Sequence, residues 1–178
     1  TELTTRVALS FCDVNGAVNN LNNEAPHNDF DIYRTECENS WNEQLNRIEI
    51  HGCSEATKTI FYTSLYHSCT VPNIASDIDG RYRGTDLEIH TLNEDEGLHY
   101  TVFSLWDTFR SLHPLLSWIE PERTRDFVRT MLRMYKEGGQ LPVWELAGNY
   151  TGCMIGYHSV PVISDAKDWG ISGWDETL

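Results

Sequence analysis

Residues 120–139, EPERTRDFVRTMLRMYKEGG, have the pattern of one long amphipathic helix. Pro121 stands between two glutamates, and both proline and acidic side chains are favoured in the first turn of a helix. Basic residues follow further along, and the pair Gly138-Gly139 closes the pattern, as glycine commonly does at helix ends. The stretch therefore predicts a helix that begins near Pro121 and ends at the glycine pair.

Five further helices are predicted on either side of this one, together with a short β-like stretch at Val7–Cys12. Apolar residues recur at i, i+3 and i+4 in two of the helices, which predicts a buried face for each. Those faces comprise Phe30, Tyr33, Cys37, Trp41, Leu45 and Ile48 in one helix, and Ile60, Phe61, Leu65 and Cys69 in the other. The predicted helices are Asp13–Glu24, Asp29–Arg47, Glu55–Cys69, Ser104–Trp118 and Tyr157–Trp169. Several helices of similar length favour a mainly α fold of paired helices in α/α layers.

Between two of these helices lies VPNIASDIDGRYRGTDLEIH, residues 71–90, which predicts an irregular loop containing a hairpin. Its aspartates at 77, 79 and 86 offer oxygen ligands for calcium. However, Gly80 is the fourth residue counted from Asp77, whereas an EF-hand loop has its glycine sixth. A turn held by aspartate side-chain hydrogen bonds is the alternative interpretation.

The composition limits the classes of partner. The 178 residues carry a net charge of −14, which argues against nucleic acid or an anionic membrane, since both bind basic surfaces. No apolar run approaches the ~18 residues of a membrane span. The five cysteines include no CxxC pair, so neither a zinc ribbon nor a redox motif is predicted.

Two tryptophans are each followed directly by a carboxylate: Trp106-Asp107 and Trp144-Glu145. An aromatic face packs on a sugar ring while a carboxylate accepts hydrogen bonds from its hydroxyls, so the pairs are candidate carbohydrate contacts. Asp107 has a second interpretation, because Ser104 at the N-cap and Asp107 three residues later resemble a capping box. The second pair is equally compatible with a core tryptophan beside an exposed glutamate. Both alternatives stay open at the level of residue spacing.

Four blocks of sequence resemble glycoside hydrolase family 92, the exo-acting α-mannosidases. They are FYTSLYH (61–67), SDIDGRYRGTD (76–86), FSLWDTFRSLHPLL (103–116) and LPVWELAGNYTGCMIGYHSVPVISDA (141–166). They keep the order and spacing of the family. In addition, NDFDIYRTECENSWNEQLNRIEIHG (28–52) is similar to the helical linker ahead of that catalytic domain.

The resemblance implies an N-terminal β-sandwich followed by a six-hairpin α/α barrel, an (α/α)6 toroid. On that basis residues 1–12 are expected to be the tail of the sandwich and residues 13–54 the helical linker. Residues 55–178 are expected to form the first part of the barrel. About six helices cannot close a barrel that needs about twelve, so the chain is interpreted as a segment of a longer enzyme.

The resemblance also implies a chemistry, namely inverting, calcium-dependent hydrolysis of terminal α-linked mannose, often α-1,2-linked. Asp107 corresponds to an acidic residue that binds mannose hydroxyls. The other positions that match family motifs around the sugar are Trp106, Arg110, Trp144, Glu145, Asn149 and His158. This set favours a ligand contact over a cap for Asp107.

The motifs that carry the catalytic acid, the catalytic base and the calcium site of the family do not occur here. The segment is therefore expected to supply sugar-binding residues, with no metal ligand of its own, and not to be an enzyme by itself. Two alternatives remain: a non-catalytic carbohydrate-binding or interaction domain, and a direct acid role for Glu145.

The expected partners are mannose-containing glycans, with neither nucleic acid nor a membrane span. Apolar faces that a complete barrel would cover predict that the segment associates with itself or pairs with the rest of its barrel. The parent is expected to be exported, as family members commonly are.

Overall fold

The computed structural model describes residues 3–177, and its secondary structure is 46% helix and 10% strand. The predicted ranges 1–12 and 55–178 extend to Thr1, Glu2 and Leu178, which lie outside the described residues. The helices are α1 Val14–Glu24, α2 Phe30–Leu45, α3 Glu55–Ser68, α4 Leu105–Thr108, α5 Leu112–Ile119, α6 Pro121–Gly138 and α7 Ser159–Asp168. The strands are β1 Asn73–Ile74, β2 Arg81–Arg83, β3 Ile89–Thr91, β4 Tyr100–Thr101, β5 Phe103–Ser104, β6 Trp144–Leu146 and β7 Asn149–Tyr150. The predicted mainly α class is confirmed.

Helix α6 is the centre of the hydrophobic core. Its residues Phe127, Val128 and Met131 are completely buried. It packs against α5 and α7, and these two helices also pack against each other. Gly139 ends the helix in the left-handed conformation, with its amide bonded to the carbonyl of Tyr135 at 2.8 Å. The three packed helices agree with an arc of an α/α barrel.

The strands form three small antiparallel sheets between the helices. β1 pairs with β4, β2 with β3, and β5 with β6, which in turn pairs with β7. β4 and β5 are separated only by Val102, which has a φ of 68°. A positive φ is rare for a β-branched residue, and here it turns the chain from the first sheet into the third.

The predicted helix Ser104–Trp118 is two helices, α4 and α5, separated by a turn at residues 109–111. The reason is Pro114, which lacks an amide hydrogen and whose ring would clash with the carbonyl of Arg110 in one continuous helix. The break places Pro114 in the first turn of α5, where proline is tolerated.

The predicted β-like stretch Val7–Cys12 is not a strand in the structure. A strand needs a neighbouring ladder for its backbone hydrogen bonds, and none of the strands within residues 3–177 pairs with this stretch. Whether it belongs to a β-sandwich stays a prediction.

The predicted helices α2 and α3 form, but their predicted buried faces are covered only in part. α2 has no buried residue, but Tyr33, Trp41 and Leu45 of its predicted face are half-buried. In the predicted face of α3, Leu65 and Cys69 are buried and Phe61 is half-buried. Phe30 and Ile60 are 66% and 69% exposed. Periodicity predicts which face is apolar, whereas burial needs a second surface to cover that face.

Candidate functional site

The short helix α4 carries the first predicted sugar contacts, and the core fixes its position. Phe103 and Leu105, on either side of Ser104, are completely buried. The amide of Leu105 donates to the carbonyl of Val143 at 3.0 Å, which ties the start of α4 to the segment ahead of β6. Because both neighbouring side chains are anchored in the core, Trp106 and Asp107 are carried at the surface of a rigid turn.

Trp106 belongs to a cluster with Phe109, Arg110 and His158, which we call the aromatic cluster. The rings of Trp106 and His158 are stacked, with centroids 5.8 Å apart and planes at 23°. Phe109 lies 4.7 Å from His158, between centroids, and the Arg110 guanidinium lies 4.8 Å from the Phe109 centroid. Within the described residues, the buried Nδ1 of His158 has no hydrogen-bond partner. The cluster thus offers an aromatic face of the kind that packs on sugar rings, whereas the Nδ1 of His158 is itself buried.

Asp107 is exposed, and its Oδ2 accepts a hydrogen bond from Ser104 Oγ at 2.5 Å. The side chain of Ser104 makes no hydrogen bond to the backbone of α4, so the reciprocal capping box is not formed. A carboxylate has about four acceptor positions, and one bond from Ser104 leaves the others available. Asp107 can therefore accept hydrogen bonds from ligand hydroxyls.

Trp144 and Asn149 lie on the sheet next to α4. Trp144 is directly opposite Ser104 across the β5–β6 pair, and Asn149 is opposite Leu146 across the β6–β7 pair. Because opposite residues share a sheet face and neighbours along a strand alternate, Trp144 and Asn149 lie on the same face as Ser104. The side-chain Nδ2 of Asn149 donates to the backbone carbonyl of Ala147 at 3.0 Å.

Glu145 lies on the other face of that sheet and is 0% exposed. Its carboxylate accepts hydrogen bonds from Thr101 Oγ1 at 2.7 Å, from the amide of Val102 at 2.9 Å and from the amide of Gly148 at 2.7 Å. Burial raises the pKa of Glu145, and these hydrogen bonds oppose that rise. The carboxylate thus stabilises the turns at Val102 and Gly148 and is not exposed to solvent.

The aspartates of the loop 71–90 do not converge as a calcium site. The two oxygens of Asp77 accept from Asn20 Nδ2 at 2.8 Å and from Ser10 Oγ at 2.7 Å. Asp79 is paired with Arg81 at 3.0 Å. The loop instead contains the predicted hairpin, β2–β3. The alternative prediction, a turn held by an aspartate side chain, agrees with Asp79 Oδ1, which accepts a hydrogen bond from the amide of Arg81 at 3.2 Å.

A second cluster of chemistry-bearing side chains joins this hairpin to α6. Ligand atoms of Asp86, His90 and Glu137 all lie within 4.8 Å of one another. Tyr82 OH donates to Glu137 Oε1 at 2.7 Å, and His90 Nε2 lies 3.0 Å from Asp86 Oδ2. Sequence reasoning missed this cluster because Glu137 is distant in the chain and only tertiary packing brings it to the hairpin. Sequence reasoning also missed Phe109 as a member of the site, although its position three residues after Trp106 predicts that the two side chains are neighbours on a helix.

A known protein family matches nearly the whole chain. Residues 16–178 match the sequence model of the glycosyl hydrolase family 92 catalytic domain. No curated protein sequence matches the chain. Among residues 3–177, no helix is both long and apolar enough to cross a membrane.

Solved structures give the same relationship. A family 92 α-mannosidase from Bacteroides thetaiotaomicron, solved alone and in complex with mannoimidazole, superposes with a TM-score of 0.87 at 38% identity, over 93% of this chain and 22% of its own. A family 92 inverting mannosidase from Bacteroides thetaiotaomicron VPI-5482 gives 0.84 at 30% identity with the same coverage. The chain thus spans about a fifth of the length of these relatives, and it belongs to glycosyl hydrolase family 92.

Proposed function

We propose that this chain is part of an inverting, calcium-dependent exo-α-mannosidase that removes terminal α-1,2-linked mannose from glycans. Its own contribution is to bind the sugar that is cleaved. The observation that supports this role is the surface formed by the exposed Asp107 carboxylate beside the aromatic cluster. The proposal rests also on the relatives, which are mannosidases.

On this proposal the sugar packs against the ring of Trp106, while Asp107 accepts hydrogen bonds from its hydroxyls. His158 contributes through its ring, which stacks on Trp106 and helps to hold the indole in position. Arg110 lies beside Trp106, and Trp144 and Asn149 lie on the sheet face that Ser104 shares, next to α4. Glu145 acts indirectly, since its carboxylate fixes the turns at Val102 and Gly148 that lead into β5 and β7.

The acid and base of inverting hydrolysis lie roughly 6.5–9.5 Å apart, with water between the base and the sugar. On this proposal both groups lie outside this chain. Glu145 is a poor candidate for the acid, because an enclosed carboxyl group cannot contact a leaving oxygen. The calcium ligands also lie outside, since Asp77 and Asp79 are already occupied by protein groups.

The experiment is an NMR time course of α-1,2-mannobiose with this chain, first with calcium and then with EDTA. We expect no hydrolysis, but the sugar resonances should shift in a saturable way as the sugar binds. The affinity for the sugar should fall at least about tenfold in Asp107→Asn, because a hydrogen bond to a charged acceptor contributes about 1.5–3 kcal/mol. The exposed Asp95 provides the matched control, and Asp95→Asn should bind as the unmodified chain does. Release of β-mannose that EDTA abolishes would refute the placement of the acid and base outside this chain.

A further inference from the structure

We propose that Asp86, His90 and Glu137 form a binding site for a divalent transition-metal ion of the zinc type. Their ligand atoms, one imidazole nitrogen and two carboxylate oxygens, lie within 4.8 Å of one another. The three residues come from three places: the turn between β2 and β3, the strand β3, and the last turn of α6. This site is separate from the sugar surface and from the calcium of the proposed function.

Asp86 and His90 already have the separation that one ion requires. His90 Nε2 lies 3.1 Å from Oδ1 and 3.0 Å from Oδ2 of Asp86. Two ligands of a tetrahedral zinc ion, each at ~2.0 Å from the metal, lie about 3.3 Å apart. Zinc would bind the Nε2 lone pair of neutral His90, with the ring proton on Nδ1, and only a doubly protonated imidazole would first release a proton to solvent.

Glu137 completes the set and is held in place by two other groups. Tyr82 OH donates to Oε1 at 2.7 Å, and the amide of Thr85 donates to Oε2 at 3.2 Å. Each carboxylate oxygen has a second lone pair, so Glu137 can bind an ion without losing either bond. Bonds of this kind orient metal ligands in known sites.

Gly84 provides an independent observation. A Cβ atom placed on it would lie 2.7 Å from Asp86 Oδ1 and 2.7 Å from Glu137 Oε2. Gly84 does not adopt a left-handed φ, so its backbone conformation does not require glycine. The missing side chain therefore leaves open the space on which the two carboxylates converge.

The charges favour a cation at this place. Among residues 3–177, neither Asp86 nor Glu137 forms an ion pair with a lysine or arginine. The neighbouring cation, Arg133, lies 5.8 Å from the Tyr82 ring, but donates its hydrogen bonds to Thr130, His99 and two backbone carbonyls. The carboxylates of Asp86 and Glu137, with oxygens within 4.8 Å of each other, repel each other, and a divalent ion removes that repulsion.

The ligand types decide the class of metal. Calcium and magnesium take oxygen ligands almost exclusively, whereas imidazole nitrogen favours zinc and its transition-metal neighbours. With three protein ligands, water would fill the fourth position. Bound metal would fasten the β2–β3 hairpin to the end of α6, and so stabilise the fold.

The test is a zinc titration of the EDTA-treated chain in competition with a chromophoric chelator, with the melting temperature measured in parallel. We expect one tight zinc ion per chain and a raised melting temperature. Affinity should fall at least about tenfold in His90→Gln and in Glu137→Gln. His51 is an exposed histidine beside Glu49, and His51→Gln is therefore the matched control, with affinity unchanged.

Free cysteines could also bind zinc, and Cys37 and Cys153 are exposed. A cobalt spectrum separates the two cases, because thiolate ligands give strong charge-transfer absorption that nitrogen and oxygen ligands lack. Circular dichroism of each variant in EDTA establishes that it is folded. Equal zinc affinity of the unmodified chain and folded His90→Gln, a thiolate-type cobalt spectrum, or the absence of binding would each overturn the proposal.

Discussion

At the scale of single residues, Glu145 shows how one buried carboxylate can organise its surroundings. Its three hydrogen bonds join a side chain of β4, the strained Val102 and the turn at Gly148. Left-handed conformations of residues other than glycine cost roughly 1–3 kcal/mol, and the bond from the Val102 amide helps to offset that cost. Glu145 therefore stabilises the turn that leads into α4.

We expect Glu145→Gln to lower the free energy of unfolding by about 1–3 kcal/mol. The amide group replaces one acceptor oxygen by a donor, so a buried N–H or O–H loses its partner. Urea denaturation of the two proteins measures the difference. Glu88 is exposed, and Glu88→Gln should change stability by no more than ~0.5 kcal/mol. Equal stability of the two variants would contradict the role given to Glu145.

A buried histidine predicts a pH dependence of stability. Burial lowers the pKa of His113 from 6.5 to about 4, and the described residues offer its Nδ1 no hydrogen-bond partner. His113 therefore becomes protonated near pH 6.5 in the unfolded chain, but only near pH 4 in the folded chain. The stability that His113 contributes is complete above pH 6.5 and decreases as the pH falls, by roughly 3 kcal/mol in all.

Urea denaturation from pH 7 to pH 4 measures this dependence. His113→Leu removes the titrating group, so part of the acid destabilisation should disappear in that variant. His51→Gln is again the control, because His51 is exposed, and its profile should follow the unmodified chain. Parallel profiles for all three proteins would show that His113 does not couple folding to pH.

At the scale of elements, α6 illustrates how local sequence and packing act together. Its glutamate–proline start and its glycine end fix the bounds, and its buried face supplies Phe127 and Met131 to the core. Gly139 has a φ of 77°, and a Cβ atom on it would meet nothing within 4 Å. Its glycine requirement therefore comes from the backbone alone.

We expect Gly139→Ala to destabilise the chain by about 1 kcal/mol, because the alanine must adopt a left-handed conformation without any steric clash. Thermal unfolding followed by circular dichroism measures this. Lys136→Ala, an exposed change in the same last turn, is the matched control, with an expected effect within ~0.5 kcal/mol. If both variants melted alike, the end of α6 would not depend on this conformation.

At the scale of the whole molecule, the exposed apolar side chains are the main feature. Phe30 on α2, Ile60 on α3 and Trp118 on α5 are each more than half exposed. The chain spans about a fifth of the length of its solved relatives, so much of the surrounding structure of a family 92 enzyme is not contributed by these residues. Apolar patches larger than a few hundred Å2 favour association.

We therefore expect the isolated chain to self-associate. Light scattering over a range of concentrations should give a mass above the 20.5 kDa of one chain, rising with concentration. A polar substitution in the exposed face, Ile60→Lys, should reduce the association, while Lys58→Ala on the same helix should not. A mass of 20.5 kDa at every concentration would contradict this prediction.

The sequence by itself determined the fold class, the family and most helix positions, the exception being Ser104–Trp118, which is two helices. Pro121 begins α6, and Gly139 ends it, as predicted from residue types alone. Blocks such as FSLWDTFRSLHPLL kept the order and spacing of the family, and the comparisons confirmed that membership. Trp106 and Asp107 could be singled out because the two residues are adjacent in the chain.

Only the tertiary structure decided which predicted faces and side chains are buried. Glu145 and Asp107 both follow a tryptophan, yet one is enclosed by three donors and the other is exposed. The convergence of Asp86 and His90 with Glu137 likewise depends on the packing of the hairpin against α6. The physical reason is that burial and long-range contacts depend on which surfaces meet, whereas periodicity and capping depend only on neighbours along the chain.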